Sequence, residues 1–301
     1  GSPVAMLDSK LPMFGPDAVH AFRAFQKAFL AEGKHVKYLY SGEMGGFNTF
    51  VPMLVAILSD KDPAKRIKFL DVDSNGRAVP ELNTTLNSFY GFPPKPLGSY
   101  EGNQIAVYPI NDHAGEQIAR QMCMLYDMRI GFSTWGMNKA EMSKALAIGC
   151  VTEAQNIGKA FLAAKEKHTD LMDELKKVMT VREFCRGTIE KLDLKQEGGF
   201  DFGTTVVKGD DGHKYFIDFK NENLILRDEK GKTIMTAPEG IGLVDLDTLT
   251  PLTNADTKEG MKLLVTMTPA HPNWWDEDHK AYTCWLPELE RVGMKGKQVR
   301  F

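Results

Sequence analysis

The stretch Val36-Lys37-Tyr38-Leu39-Tyr40-Ser41-Gly42-Glu43-Met44-Gly45-Gly46-Phe47-Asn48-Thr49 decides how the chain is read. Val36 to Tyr40 has the aromatic and β-branched character of a strand, and Ser41 to Asn48 is a glycine-rich turn. The apolar run from Thr49 to Leu58 reads as a helix that tolerates Pro52 in its first turn. Ile67 to Asp71 then reads as a second strand. Strand, turn, helix, strand is the rhythm of an α/β layer with a mostly parallel sheet. Upstream, Ala18, Phe22, Phe25 and Phe29 recur at helical spacing between Pro16 and Glu32, with Gly33 placed to end the helix.

Downstream, Tyr90 to Gly98 is a loop carrying Pro93, Pro94 and Pro96, Gln104 to Tyr108 a strand, and His113 to Leu125 a helix. Asn138 to Lys167 is a long helical stretch interrupted near Gly149, and Thr169 to Met179 a further helix with Thr169 as its N-cap. After about residue 181 the texture changes. Short β-like runs (Thr188–Leu192, Thr204–Lys208, Lys214–Phe219, Leu224–Arg227, Thr233–Thr236, Leu243–Leu246, Lys262–Met267) are separated by Gly198-Gly199, Asp211-Gly212, Lys230-Gly231 and Glu239-Gly240. The expectation is an α/β domain over 1–175 that carries the site and a β-rich domain over 176–301.

Composition narrows the function. The 301 residues are 43% apolar and 26% charged, which suits a folded core. A formal net charge of −3 offers no basic surplus for phosphates, so nucleic acid is not an expected partner. The longest apolar run, Phe50 to Leu58, is too short to span a bilayer, and no signal-peptide pattern opens the chain. Cys123, Cys150, Cys185 and Cys284 form no C-x-x-C pair and read as reduced thiols of a cytoplasmic protein.

Two segments can carry chemistry. Ser41 to Asn48 lies between a strand and a helix, where backbone N–H groups of glycines approach a ligand closely and a helix start favours an oxyanion. It is neither a G-x-G-x-x-G fingerprint nor a P-loop. Asp71-Val72-Asp73-Ser74-Asn75-Gly76-Arg77-Ala78-Val79-Pro80-Glu81 puts two carboxylates at a strand's end, with a cation and a third carboxylate behind them. Such groups bind a divalent metal, act as general base, or grip a substrate N–H, and Arg77 offers a planar fork for a carbonyl or carboxylate. The plainer alternative is a salt-bridged loop in which Asp73 caps a turn and Arg77 pairs with Glu81. Calcium-loop spacing fails, because Leu82 stands where the twelfth-position acid belongs. His113, the His271/Asp276/Asp278/His279 group beside Trp274-Trp275, and Asn221-Glu222-Asn223 are weaker candidates.

These residues resemble a family. Glu43-x-Gly45-Gly46-x-Asn48 followed by Asp71-x-Asp73-x-x-Gly76-Arg77-Ala78-x-Pro80-Glu81 is similar to the S-methyl thiohydantoin desulfurase-like family, bacterial and fungal proteins formerly of unknown function and associated with hydantoinases and oxoprolinases. Ala147-Ile148-Gly149, Ile157-Gly158-Lys159-Ala160, Gly199-Phe200-x-x-Gly203, Phe219-Lys220-Asn221-Glu222-Asn223 and Pro238-Glu239-Gly240-Ile241 follow in the family's order. Gly1-Ser2-Pro3 resembles a Gly-x-Pro that in the family follows a further half-domain, so the chain reads as a truncated member or one piece of a split protein. A C-terminal Gly-Pro motif is blurred over Gly293 to Phe301.

The resemblance implies an N-terminal α/β domain, a C-terminal β-rich domain, and hydrolytic attack on a cyclic amide or imide such as a hydantoin or thiohydantoin. The hypothesis built on it takes Glu43, Asp71, Asp73 and Glu81 as the catalytic carboxylates, with Glu43 and Asp73 as base or metal ligands and Asp71 and Glu81 orienting them, and Gly45, Gly46, Asn48, Arg77, Asn221 and Glu222 as substrate-binding residues. Glu43, Asp71 and Asp73 are also the candidate ligands should a divalent metal be bound. The expected partners are a small-molecule substrate and either further copies of the chain or a hydantoinase-like subunit. The competing reading is a non-catalytic binding or scaffold subunit of a hydantoinase/oxoprolinase-type complex.

Overall fold

The computed structural model describes residues 17–92, 97–100, 103–125 and 130–301. Gly1-Ser2-Pro3, Pro16, Pro93, Pro94 and Pro96 lie outside them. The chain divides into two compact units, Gly1–Val151 and Thr152–Phe301.

In the first unit the order is α1 (Asp17–Ala31), β1 (Tyr38–Ser41), α2 (Phe50–Leu58), β2 (Lys68–Asp73), α3 (Leu86–Phe89), β3 (Leu97–Tyr100), β4 (Gln104–Val107), α4 (Asp112–Leu125), β5 (Gly131–Ser133), α5 (Lys139–Ala145) and β6 (Ala147–Ile148). Ala18, Phe22 and Phe25 of α1 are buried as their spacing requires, and Gly33 ends the helix at φ +72°. Ala18, Val19 and Phe22 pack with Val55 of α2, and Leu39 and Ile67 close the same cluster around β1 and β2.

The sheet differs from the expected mostly parallel one. β1 and β2 pair in parallel, but β6 pairs antiparallel to β2, and β4, β3 and β5 form a second, wholly antiparallel sheet. A parallel pair needs a crossover, which α2 supplies between β1 and β2, whereas the short link from β3 to β4 permits only a hairpin. The long helical stretch breaks where Gly149, at φ +85°, turns the chain from β6 into the next helix.

That helix is α6 (Cys150–Lys167), followed by α7 (Leu171–Leu175). Asp170, rather than Thr169, caps α7 by accepting the Met172 N–H at 2.8 Å. The strands β7 (Arg182–Glu197), β8 (Phe200–Gly209), β9 (Lys214–Lys220), β10 (Glu222–Asp228), β11 (Thr233–Thr236), β12 (Gly240–Asp245), β13 (Thr250–Leu252) and β14 (Lys262–Thr268) precede α8 (Leu286–Arg291). They make one antiparallel eight-stranded sheet in the order β11-β10-β9-β8-β7-β14-β12-β13. Alternation along β14 separates two cores: Leu263 and Val265 join Ile189, Val207 and Ile217, while Leu264 joins Ala160, Ala164, Leu171 and Leu175. The compact division falls at 151/152, and α6 and α7 bury their apolar faces against the β-rich sheet. No helix among the described residues is long and apolar enough to cross a membrane.

Candidate functional site

Parallel pairing brings the ends of β1 and β2 to the same lip of the sheet, with Ser41 in register with Asp73. The segments that follow are stitched together there. Asn75 Nδ2 donates to the Gly42 carbonyl at 3.1 Å, and the Val79 N–H donates to Glu43 Oε2 at 3.1 Å. Asn48 Nδ2 donates to Glu43 Oε1 at 2.6 Å. Glu43, Asn48, Asp73 and the 75–79 loop, separated in sequence, are thus one assembly.

Asp73 is its innermost acid, with no solvent exposure. Its Oδ1 accepts the N–H groups of Asn75 and Gly76, and Gly76 sits at φ +73°, a conformation that favours glycine. Asp73 does cap a turn, but only with one oxygen. Oδ2 is buried without a hydrogen-bond partner among the described residues. Burial pushes its pKa up to about 7, against the pull of the Gly76, Asn75 and Met44 amides, and the Glu43 charge raises it further. Glu43 is raised too, first by burial of its carboxyl and in smaller part by Glu116.

Around this pair lie further buried polar groups. Tyr40 donates its hydroxyl to the Trp135 carbonyl at 3.1 Å, and its pKa is raised mainly by burial. Asn87 Nδ2 donates to Ser74 Oγ at 2.7 Å. Trp135 is buried at φ +52°, a strained backbone for a non-glycine residue, and a side chain added at Gly42 would meet its ring. Asn48 Oδ1, Asn87 Oδ1, Thr134 Oγ1 and Trp135 Nε1 share with Asp73 Oδ2 the lack of a partner among the described residues. Orphaned polar atoms are scarce in a folded protein, and here several belong to one neighbourhood of the first unit.

The remaining predicted residues fall in different places. Asp71 is exposed and turns to the start of α6, where its Oδ1 accepts the Val151 N–H at 2.8 Å. Glu81 begins a short turn in which Thr84 Oγ1 donates to its carbonyl at 2.7 Å. Arg77 is half-buried and donates its Nε to the Ala78 carbonyl at 3.0 Å. Gly45 gives its N–H to Thr49 Oγ1 at 3.2 Å, while the Gly46 N–H is exposed and has no partner among the described residues. Asn221 and Glu222 belong to the second unit, where Asn221 at φ +56° exchanges bonds with Asp201 and accepts from Asn254 Nδ2 at 2.7 Å.

Among the described residues no group of three or more His, Cys, Asp and Glu side chains could hold a metal ion. Glu43, Asp71 and Asp73 do not gather into a cation cage, because Asp71 faces α6. His279 pairs with Asp276 at 2.5 Å, and His113 is exposed. None of the four cysteines is in a disulfide, and burial pushes Cys185 and Cys284 up to about 12, far from nucleophilic thiolates.

Sequence reasoning missed Glu116 and Arg120, both buried on α4 and joined at 2.5 Å. The Leu82 N–H donates to Glu116 Oε2 at 3.1 Å. A signal existed: Glu116 and Arg120 occupy the same helical stripe as buried Ala119 and Cys123, a face that otherwise reads as core.

Residues 1–108 match the model of the S-Me-THD-like N-terminal domain, and residues 110–287 that of the S-Me-THD-like C-terminal domain. The chain belongs to the S-Me-THD-like family. A crystal structure of a protein from Chromobacterium violaceum shares the S-Me-THD-like chain's fold, with a TM-score of 0.75 over 95% of this chain and 79% of the other, at 20% identity. A search of curated proteins found no match.

Proposed function

We propose that this protein hydrolyses a five-membered cyclic amide or imide of hydantoin or thiohydantoin type at the lip shared by β1 and β2. The observation that carries the reading is Asp73: a fully buried carboxyl with one oxygen committed to a turn and the other without a partner. With its pKa up at about 7, it holds or releases a proton near neutrality, as a general base requires. On this reading Asp73 Oδ2 takes a proton from water, the water oxygen bonds to a ring carbon, and the bond from that carbon to its leaving nitrogen or sulfur breaks as the leaving atom takes up the proton. Glu43 holds the loop and keeps the Asp73 proton affinity high. The Gly46 N–H and Arg77 are the groups for the developing negative charge on the ring oxygen. Four cysteines without a disulfide suit a cytoplasmic setting.

The test is product formation from hydantoin and S-methyl thiohydantoin, followed by chromatography at pH 5 to 9. The expected result is turnover with a midpoint near pH 7 that falls by about a thousandfold in Asp73→Asn. Absence of product and of any ligand-induced thermal shift with either ring would overturn it.

One observation favours the second reading, a non-catalytic subunit that meets further copies or a hydantoinase-like partner. α2 contains no charged residue and leaves Phe50 65% and Ile57 53% exposed. Light scattering of the purified chain, alone and with such a partner, tests it.

A further inference from the structure

We propose that Glu116 is a positioning residue of the Glu43–Asp73 site, gripping the Val79–Leu82 segment together with Glu43 and so setting where Arg77 stands; this rests on the ring-hydrolysis reading above.

The backbone donors of the Val79–Leu82 segment are met by side chains. Val79 gives its N–H to Glu43 Oε2 and Leu82 gives its N–H to Glu116 Oε2, each at 3.1 Å. Between them Pro80 has no N–H, and the Glu81 N–H turns to Thr84 Oγ1 at 3.4 Å. The segment belongs to no strand, so two carboxylates from elements 36 and 34 residues away do the work of a ladder. The grip is built in from both sides. Asn48 occupies the other oxygen of Glu43, and Arg120, one turn along α4, sits at 2.5 Å from the other oxygen of Glu116.

Arg77 stands just before the gripped segment and is tied to it through the Ala78 carbonyl. The clamp also links the acids electrically. Glu116 is raised chiefly by burial, with Arg120 opposing and Glu81 adding, and its charge in turn raises Glu43. A carboxylate needed only to neutralise Arg120 would have no reason to reach the loop.

The experiment compares Glu116→Leu, Glu116→Gln and Glu116→Asp with the unaltered chain, reading amide exchange at Val79 and Leu82 and the thermal shift produced by hydantoin. Glu116→Leu is expected to speed Leu82 exchange at least about tenfold and to abolish the hydantoin shift. Glu116→Gln, which still presents an acceptor oxygen, should rescue both. If Glu116→Leu does not fold, Glu116→Asp, which keeps the charge but withdraws it from Leu82, should give the same faster exchange. Unchanged exchange at Leu82 overturns the proposal, as does faster exchange with an intact hydantoin shift. If the unaltered chain shows no hydantoin shift, the functional reading fails, and Leu82 exchange alone then decides whether the clamp exists.

Discussion

Two sets of buried charge, one in each unit, are held in opposite ways. In the second, Lys220 is fully buried but its Nζ meets Glu288 at 2.6 Å and lies 4.0 Å from the Phe200 ring centroid. Asp218 is likewise held by the Arg227 fork at 2.7 and 2.8 Å and by Thr204. In the first, Glu43 and Asp73 are held by amides and an asparagine, and their pKa values rise. A buried acid matched by a cation fastens a fold, whereas one left with raised proton affinity is, on the reading proposed above, where the chemistry sits.

The largest expected effect breaks a matched pair. Lys220→Met leaves Glu288 buried beside no cation and should cost about 3–5 kcal/mol, read as a lower urea midpoint by tryptophan fluorescence. Replacing both partners together with apolar residues should recover most of that loss; if it does not, the pair is more than a fastening.

The next effect has the opposite sign. Asp73 binds its proton far more tightly folded than unfolded, so its contribution is fully present below about pH 4 and is lost as pH rises through about 7. Calorimetry should show stability falling between about pH 4 and 7, with Glu43 acting in the same direction. Asp73→Asn should flatten that slope and be more stable than the unaltered chain by about 2–4 kcal/mol at pH 8. A destabilised Asp73→Asn would place Asp73 with the fastening charges of the second unit.

The smallest effect is a control. Asn138 caps α5 by accepting the Ala140 and Glu141 N–H groups, so Asn138→Ala should cost about 1 kcal/mol and leave the pH slope unchanged. A changed slope would mean that any loss of stability in the first unit disturbs Asp73.

Much of the fold was legible because local periodicity carries it. β11 spans Thr233–Thr236 as read, and the glycine turns between the other strands fell where expected. β3, β5 and β13, each of three or four residues, were missed, since so short a strand has too little alternation to stand out. At the site, Glu43, Asn48 and Asp73 were legible as acids and amide beside a turn. Asp71, two residues from Asp73, differs from it only in what packs beyond it: its Oδ1 accepts the Val151 N–H.

By itself the sequence determined the strand–turn–helix–strand unit, the β-rich second half, and the two acidic segments that resemble one family. Those features depend on residue type and spacing along a single stretch. Only the tertiary structure decided that β6 runs antiparallel, that Asp71 serves α6 while Asp73 faces inward, and that Glu116 reaches Leu82. Each of these joins residues distant in sequence, and the burial that raises a carboxyl's proton affinity exists only once those residues have closed over it.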